Sequence, residues 1–263
     1  MWLELPAFYH RLRPFAAAFA HGVPMLMYHK LGPRPPQVRL KGLYLSARLF
    51  ERQLNELSAA GFVGVAPSSA LVAGSGRRIV LSFDDGYQNL LRYGLPLLER
   101  YRFSAIVYLV AARLGGHNDW DIAEGEAPET LMDAAQVREW LAAGQRIGSH
   151  GLTHARLTRL TPAAAREEMM ASRKRLEDLF GVEVADFCYP YGDWDRAVAD
   201  GVIAAGYRTA CTTGFGLNTP ATDPFAMKRI MARYRSWSPW ALRRRQRFPV
   251  EDRVCTALQP PLE

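Results

Sequence analysis

Between residues 23 and 212, short apolar runs alternate with segments patterned as helices. Runs at 23–28, 79–83 and 105–110 carry apolar residues at nearly every position, and shorter strand-like segments follow at 146–149, 185–189 and 209–212. Such runs suit strands covered on both faces. Between them lie helix signals. Ser46 stands before Leu49, Leu54 and Leu57, and Gly61 follows. Asp133 with Gln136 three positions on forms a capping-box pattern for a helix through Ala143. Thr161-Pro162 opens a long helix that Gly181 ends, and Asp195 starts another closed by Gly206. A helix is also expected over 90–101 despite Gly94 and Pro96, and a last one over 238–247.

A parallel strand needs a crossover to reach its neighbour, so repeated strand–helix units predict an α/β chain with a parallel sheet. Polar residues cluster just after the strands, where the active sites of β/α barrels are built, and this favours closure over an open sheet. Residues 112–130 lack periodicity and read as an excursion over the barrel mouth. With 263 residues and no linker or repeat, one domain over 1–263 is expected. Its core covers about 23–213, and 214–263 forms a C-terminal extension packed on or near the barrel.

Charge narrows the partners. The chain has 33 Lys+Arg against 26 Asp+Glu, a net +7, and much of the excess lies late. Lys228, Arg229, Arg233, Arg235 and the Arg243–Arg247 stretch read as a solvated arginine-rich face. No zinc-finger spacing, aromatic ribonucleoprotein motif or heptad accompanies them, so a nucleic-acid partner is not expected. Three scattered cysteines make neither a disulfide framework nor a Cys-rich metal site. No apolar run is long enough for a membrane span. Glu4, His10, Arg11 and Arg13 interrupt any signal-peptide core. The expected location is the cytoplasm. Trp2, Leu3, Leu5, Phe8, Tyr9, Leu12 and Phe15 either pack on the core or form an amphipathic surface for peripheral contact at the inner face of the membrane.

Three short segments carry chemistry. In Asp84-Asp85-Gly86, which follows an apolar run, one carboxylate can bind a metal while its neighbour faces a water; alone, it is an ordinary turn. His150 and His154 stand four residues apart, on one face if the turn is helical. Two imidazoles and a carboxylate form a known zinc set with a coordination position left open. The pair lacks the Glu of a helical His-Glu-x-x-His metalloprotease. Pro190-Tyr191-Gly192 ends a strand in a rigid turn that can present an aromatic ring and a backbone N–H.

Together these segments resemble the polysaccharide deacetylase family, carbohydrate esterase family four, over about 23–213 and in the family order. The resemblance implies a distorted (β/α) barrel with about seven parallel strands. It implies Asp84 as general base and Asp85, His150 and His154 as ligands of one divalent metal ion, zinc by preference, with cobalt or nickel as substitutes. The Tyr191 N–H would help stabilise the oxyanion, a kind of contact worth about 3 kcal/mol. Pro190 and Trp120 are further substrate-binding candidates.

The sequence departs from the family pattern in three places. Gly151 replaces the Ser or Thr that often follows the first metal histidine, and Cys188 stands where an arginine often orients the base. No histidine follows His154, although many members take their general acid from a late Leu-His. Leu26-Met27-Tyr28-His29 resembles the opening of the branch that includes poly-N-acetylglucosamine deacetylases, in which an N-terminal histidine takes the acid role. His29 is therefore the candidate acid, against the plainer reading of a histidine capping a strand end.

The expected activity is metal-dependent removal of N-acetyl or related acyl groups from an amino-sugar glycan or a lipid-linked sugar. An O-acetyl esterase, or a catalytically silent sugar-binding homologue, is the alternative.

Overall fold

A computed structural model describes residues 3–36, 38–123, 125–233 and 246–248. Strands β1 (Leu3–Leu5), β2 (Met25–Tyr28), β3 (Lys30–Leu31), β4 (Tyr44–Leu45) and β5 (Phe62–Gly64) come first, with helix α1 (Ala47–Ala59) between β4 and β5. Then follow β6 (Arg77–Phe83), α2 (Asn89–Tyr93), α3 (Leu95–Tyr101), β7 (Ile106–Leu109), α4 (Asp119–Ile122), α5 (Ala134–Ala142) and β8 (Arg146–Ser149). The chain continues through α6 (Pro162–Phe180), β9 (Asp186–Cys188), α7 (Arg196–Ala204), β10 (Thr209–Phe215), β11 (Met227–Met231) and β12 (Gln246–Phe248).

Seven parallel strands close a ring in the order β2-β11-β10-β9-β8-β7-β6, and β6 returns to β2. The expected barrel is present. β5 lies outside the ring against β6, and β1 pairs antiparallel with β12.

Side chains alternate along the barrel strands as the pleat requires. Met25, Val80, Ile106, Tyr108, Cys188, Cys211 and Met227 form a small cluster of their own. Leu26, Leu81, Val107, Leu109, Phe187 and Ile230 belong to the larger cluster shared with the helices. The helices follow the sequence signals. Ser46 caps α1 by accepting from the Leu49 N–H, and Phe50, Leu54 and Leu57 are buried. The Asp133–Gln136 capping box is formed in both directions. Thr161 and Gly181 bound α6, and Asp195 caps α7.

The structure corrects several expectations. The helix expected over 90–101 is two helices meeting at Gly94, because Pro96 has no N–H and cannot continue the first ladder. The barrel closes through β11, beyond the core limit expected at residue 213. Residues 234–245, most of the last expected helix, lie outside the described residues, whereas Gln246 and Arg247 are in β12. Tyr9, Leu12, Phe15 and Phe19 are buried, with ring contacts from Tyr9 to Phe15 and Phe19 and from Phe19 to Phe62. That part of the apolar face packs inward, while Trp2 lies outside the described residues. No helix among the described residues is long and apolar enough to cross a membrane.

Candidate active site

The inward parity of the strands builds one end of the barrel into a cleft of about 500 Å³. Met27, His29, Asp84, Thr213, Arg229 and Met231 line it, from within the barrel strands or just beyond them. Asp84 continues the inward register of Val80 and Ser82. Asp85 would then face out, but its backbone turns to φ 74, and Gly86 follows at φ 81. Adjacent carboxylates thus serve one cavity from two directions.

Asp85 Oδ1 lies 3.4 Å from His150 Nε2 and 3.3 Å from His154 Nε2, with all three residues buried. These separations exceed a good hydrogen bond. Donor atoms about 2.0–2.1 Å from a shared tetrahedral cation stand about 3.3 Å apart, so the set fits a divalent ion that accepts nitrogen and oxygen. The His150 Nδ1–H donates to the Cys188 carbonyl at 2.7 Å, which leaves Nε2 facing the centre. His154 Nδ1 is buried with no hydrogen-bond partner among the described residues. Its ring is stacked on Trp120 at 4.2 Å and meets the Tyr191 ring edge-on at 4.5 Å.

In the protein alone, burial works against the Asp85 anion, but the adjacent His150 and His154 imidazoles bring its pKa well below the ordinary value. Burial also works against charged His150, yet the nearby carboxylates of Asp85 and Asp84 raise it overall. At His154 burial prevails and lowers the pKa. No helical turn aligns the two histidines. Residues 150–156 form a non-helical loop, with Gly151 at φ 80 and His154 at φ 69, and the loop itself brings the rings together.

Asp84 is held differently. Arg229 donates from Nη1 to Asp84 Oδ1 at 2.7 Å and from Nη2 to Oδ2 at 2.9 Å. Its Nε–H donates to the Thr212 carbonyl, and Nη2 also meets Cys188 Sγ at 3.2 Å. Burial pushes the Asp84 carboxyl up, but the charge of Arg229 outweighs it with help from His29, and the net direction is down. His29 Nε2 lies 3.7 Å from Asp84 Oδ2. Asp84, His150 and Cys188 also cluster, but they suit a cation poorly. Arg229 already occupies Asp84, and burial drives the Cys188 thiol well above its ordinary pKa.

Arg229 is the functional residue that the sequence reading missed. It was placed on a solvated face, yet it is buried in β11. The signal was present: Met227, Arg229 and Met231 recur with period two, which puts the arginine on an apolar face. Its guanidinium reaches Cys188, the position where the family pattern expects the orienting arginine.

Trp120, on α4 in the expected excursion, and Tyr191 both line the cleft. Pro190 does not. It is buried behind the wall, beside Gly151. The Arg156 guanidinium sits 3.8 Å over the Tyr191 ring, and Arg39 and Arg159 also border the cleft. Four non-glycine residues among those described have positive φ, and Asp85, His154 and Tyr191 are three of them. Backbone strain concentrated in this way is usual at functional sites.

Residues 72–210, just over half of the chain, match the family model described as "Polysaccharide deacetylase". The match includes Asp84, Asp85, His150, His154 and Tyr191 but neither His29 nor Arg229. YxkH of Bacillus subtilis, whose name marks it as an inferred polysaccharide deacetylase, is 23% identical over 79% of this chain and 70% of its own length. The peptidoglycan-N-acetylglucosamine deacetylase PgdA of Listeria monocytogenes is 23% identical over 64% of this chain, and the match spans 31% of that protein. The structure of Streptococcus pyogenes deacetylase PplD in complex with acetate superposes with a TM-score of 0.69 at 20% identity, covering 81% of this chain and 92% of that one. This last likeness concerns the fold.

Proposed function

The chain belongs to the polysaccharide deacetylase family, and from that premise we propose that it is a divalent-metal-dependent hydrolase of N-acetyl groups on an amino-sugar glycan or glycolipid. The observation that carries the reading is the meeting of Asp85, His150 and His154 beside a carboxylate, Asp84, that Arg229 keeps ionised. The name of PgdA, a relative that acts on N-acetylglucosamine in peptidoglycan, favours an amide over an ester.

When bound, a divalent cation polarises the acetamide carbonyl and acidifies water towards neutrality. The residues of the chain do the rest. Asp84 accepts the proton of the attacking water. The Tyr191 N–H donates to the oxygen that becomes negative. Protonated His29 hands its proton to the departing nitrogen, so that acetate and a free amine leave without an amide anion forming. Asp84 then holds the proton taken from the water while His29 has given one up, and at 3.7 Å the two groups are close enough for that proton to pass back to His29 and restore both. Trp120 and Tyr191 wall the reacting centre from bulk solvent.

The N-terminal position of His29, and its place beside the base, support the branch in which the acid comes from the first barrel strand. Arg156 and Arg159 at the rim fit a glycan bearing carboxylate or phosphate groups. The test is product analysis on N-acetylglucosamine oligomers and on an O-acetylated glycan, before and after chelation and zinc repletion. A new amine that appears only with metal supports the proposal. A new hydroxyl from the ester, with amides untouched, replaces it with an esterase.

A further inference from the structure

Among the described residues, the ring of His154 has no hydrogen bond at Nδ1 to fix its orientation, although metal-ligating histidines usually have one there. Its aim therefore depends on the rings around it and on the main chain that carries it. That main chain is unusual. Gly151 and His154 both take left-handed backbone angles, and the second is unfavourable for a residue with a Cβ. Left to itself, a loop of this shape has several accessible forms, and only some aim the imidazole at Asp85.

The Ala111 and Ala112 N–H groups donate to the Gly151 and Leu152 carbonyls, and one side chain from outside the loop holds the two residues next to His154. Glu168, on the buried side of α6, accepts from the Leu152 N–H at 2.9 Å, the Thr153 N–H at 3.0 Å and the Thr153 hydroxyl at 2.5 Å. These bonds tie both residues immediately before His154. The carboxylate is buried and makes no ion pair among the described residues, so these charge-assisted bonds are its principal satisfaction. Gly151 leaves the room: a Cβ there would lie 3.2 Å from Glu168 Oε2. The carboxylate thus stands next to the position where the family often places a hydroxyl side chain.

We propose that Glu168 is a positioning residue for the metal centre, holding residues 152–153 from behind so that His154 is aimed at the site shared with Asp85 and His150. The inference rests on the metal-site reading given above. It extends that reading to a residue that touches neither ion nor substrate. Removing the carboxylate frees two backbone N–H groups and a hydroxyl, and the histidine then samples orientations that do not ligate.

Wild type, Glu168→Ala and Glu168→Gln, stripped of metal and shown to be folded by circular dichroism, are titrated with zinc against a chromophoric chelator. The expected loss for Glu168→Ala is about 10- to 100-fold in zinc affinity, the usual effect of removing an outer support of a metal ligand. Glu168→Gln, which keeps one acceptor oxygen, falls between it and wild type. A residue that only anchors α6 lowers the unfolding midpoint but leaves zinc affinity of the folded protein unchanged, and that result overturns the proposal. If Glu168→Ala does not fold, Glu168→Gln decides: affinity reduced several-fold sustains the proposal, and wild-type affinity overturns it. Failure of the wild type to bind zinc, or equal binding by Asp85→Ala, overturns the metal-site reading and this inference with it.

Discussion

Arg229 on β11 grips both carboxylate oxygens of Asp84 at the end of β6, at 2.7 and 2.9 Å, across 145 residues of chain. Both partners are buried. Removing one partner of such a pair leaves an uncompensated charge, so Arg229→Ala is expected to cost about 3–5 kcal/mol in stability.

The same substitution has a signed effect on pH dependence. In the wild type Asp84 titrates below its ordinary value, so the base remains ionised, and the pair's contribution to stability is present, above the ordinary carboxylate range. That contribution is lost as pH falls through the depressed value. Without Arg229, burial dominates and the Asp84 pKa rises. The acid limb of kcat/KM then moves to higher pH in Arg229→Ala, and by less in Arg229→Lys, which keeps charge but not the two-pronged grip. A pH–rate profile of the three proteins checks this.

Asp84→Asn is expected to lower kcat by about 10²- to 10⁴-fold, the usual size of a general-base contribution, while zinc still binds. His29→Ala should fall by a similar factor on N-acetyl sugars. On an aryl acetate it should fall far less, because a phenolate leaves without a proton. Parallel kinetics on the two substrate types separate the acid from the base.

Gly148 precedes the first histidine by two residues, and a Cβ there would meet the Tyr108 ring at 2.6 Å and the Asp186 carbonyl at 2.8 Å. Gly148→Ala should therefore destabilise the protein by about 1–3 kcal/mol through overpacking inside the barrel. Urea unfolding gives the value.

At the rim, Arg159→Glu reverses one charge without touching the base or the ligands. It should raise KM for a carboxylate-bearing N-acetylated glycan and leave kcat unchanged, with the KM effect shrinking at high salt. Steady-state kinetics at two ionic strengths measure it.

Local signals made much of this legible. The apolar runs and caps fixed most barrel strands and helices to within a few residues, because a buried parallel strand and a capped helix each leave a short-range pattern. Asp84, Asp85, His150, His154, Tyr191 and His29 stand out in the sequence, and the structure brings all six to one cleft. What escaped depends on distance. Arg229 serves Asp84 from a strand whose charged residues looked like part of a solvated run. Glu168 looked like one more polar residue on a helix, since nothing local shows that it caps a loop 15 residues away. The loop carrying His150 and His154 could not be told from a helical turn, because both arrangements place the rings together.

The central claim is that one cation is shared by Asp85, His150 and His154. Anomalous diffraction at the zinc edge, from crystals of metal-stripped protein resupplied with zinc, tests it directly. The account predicts a single strong peak about 2.0–2.2 Å from Asp85 Oδ1 and both Nε2 atoms. A peak elsewhere, or none at these three residues, contradicts it.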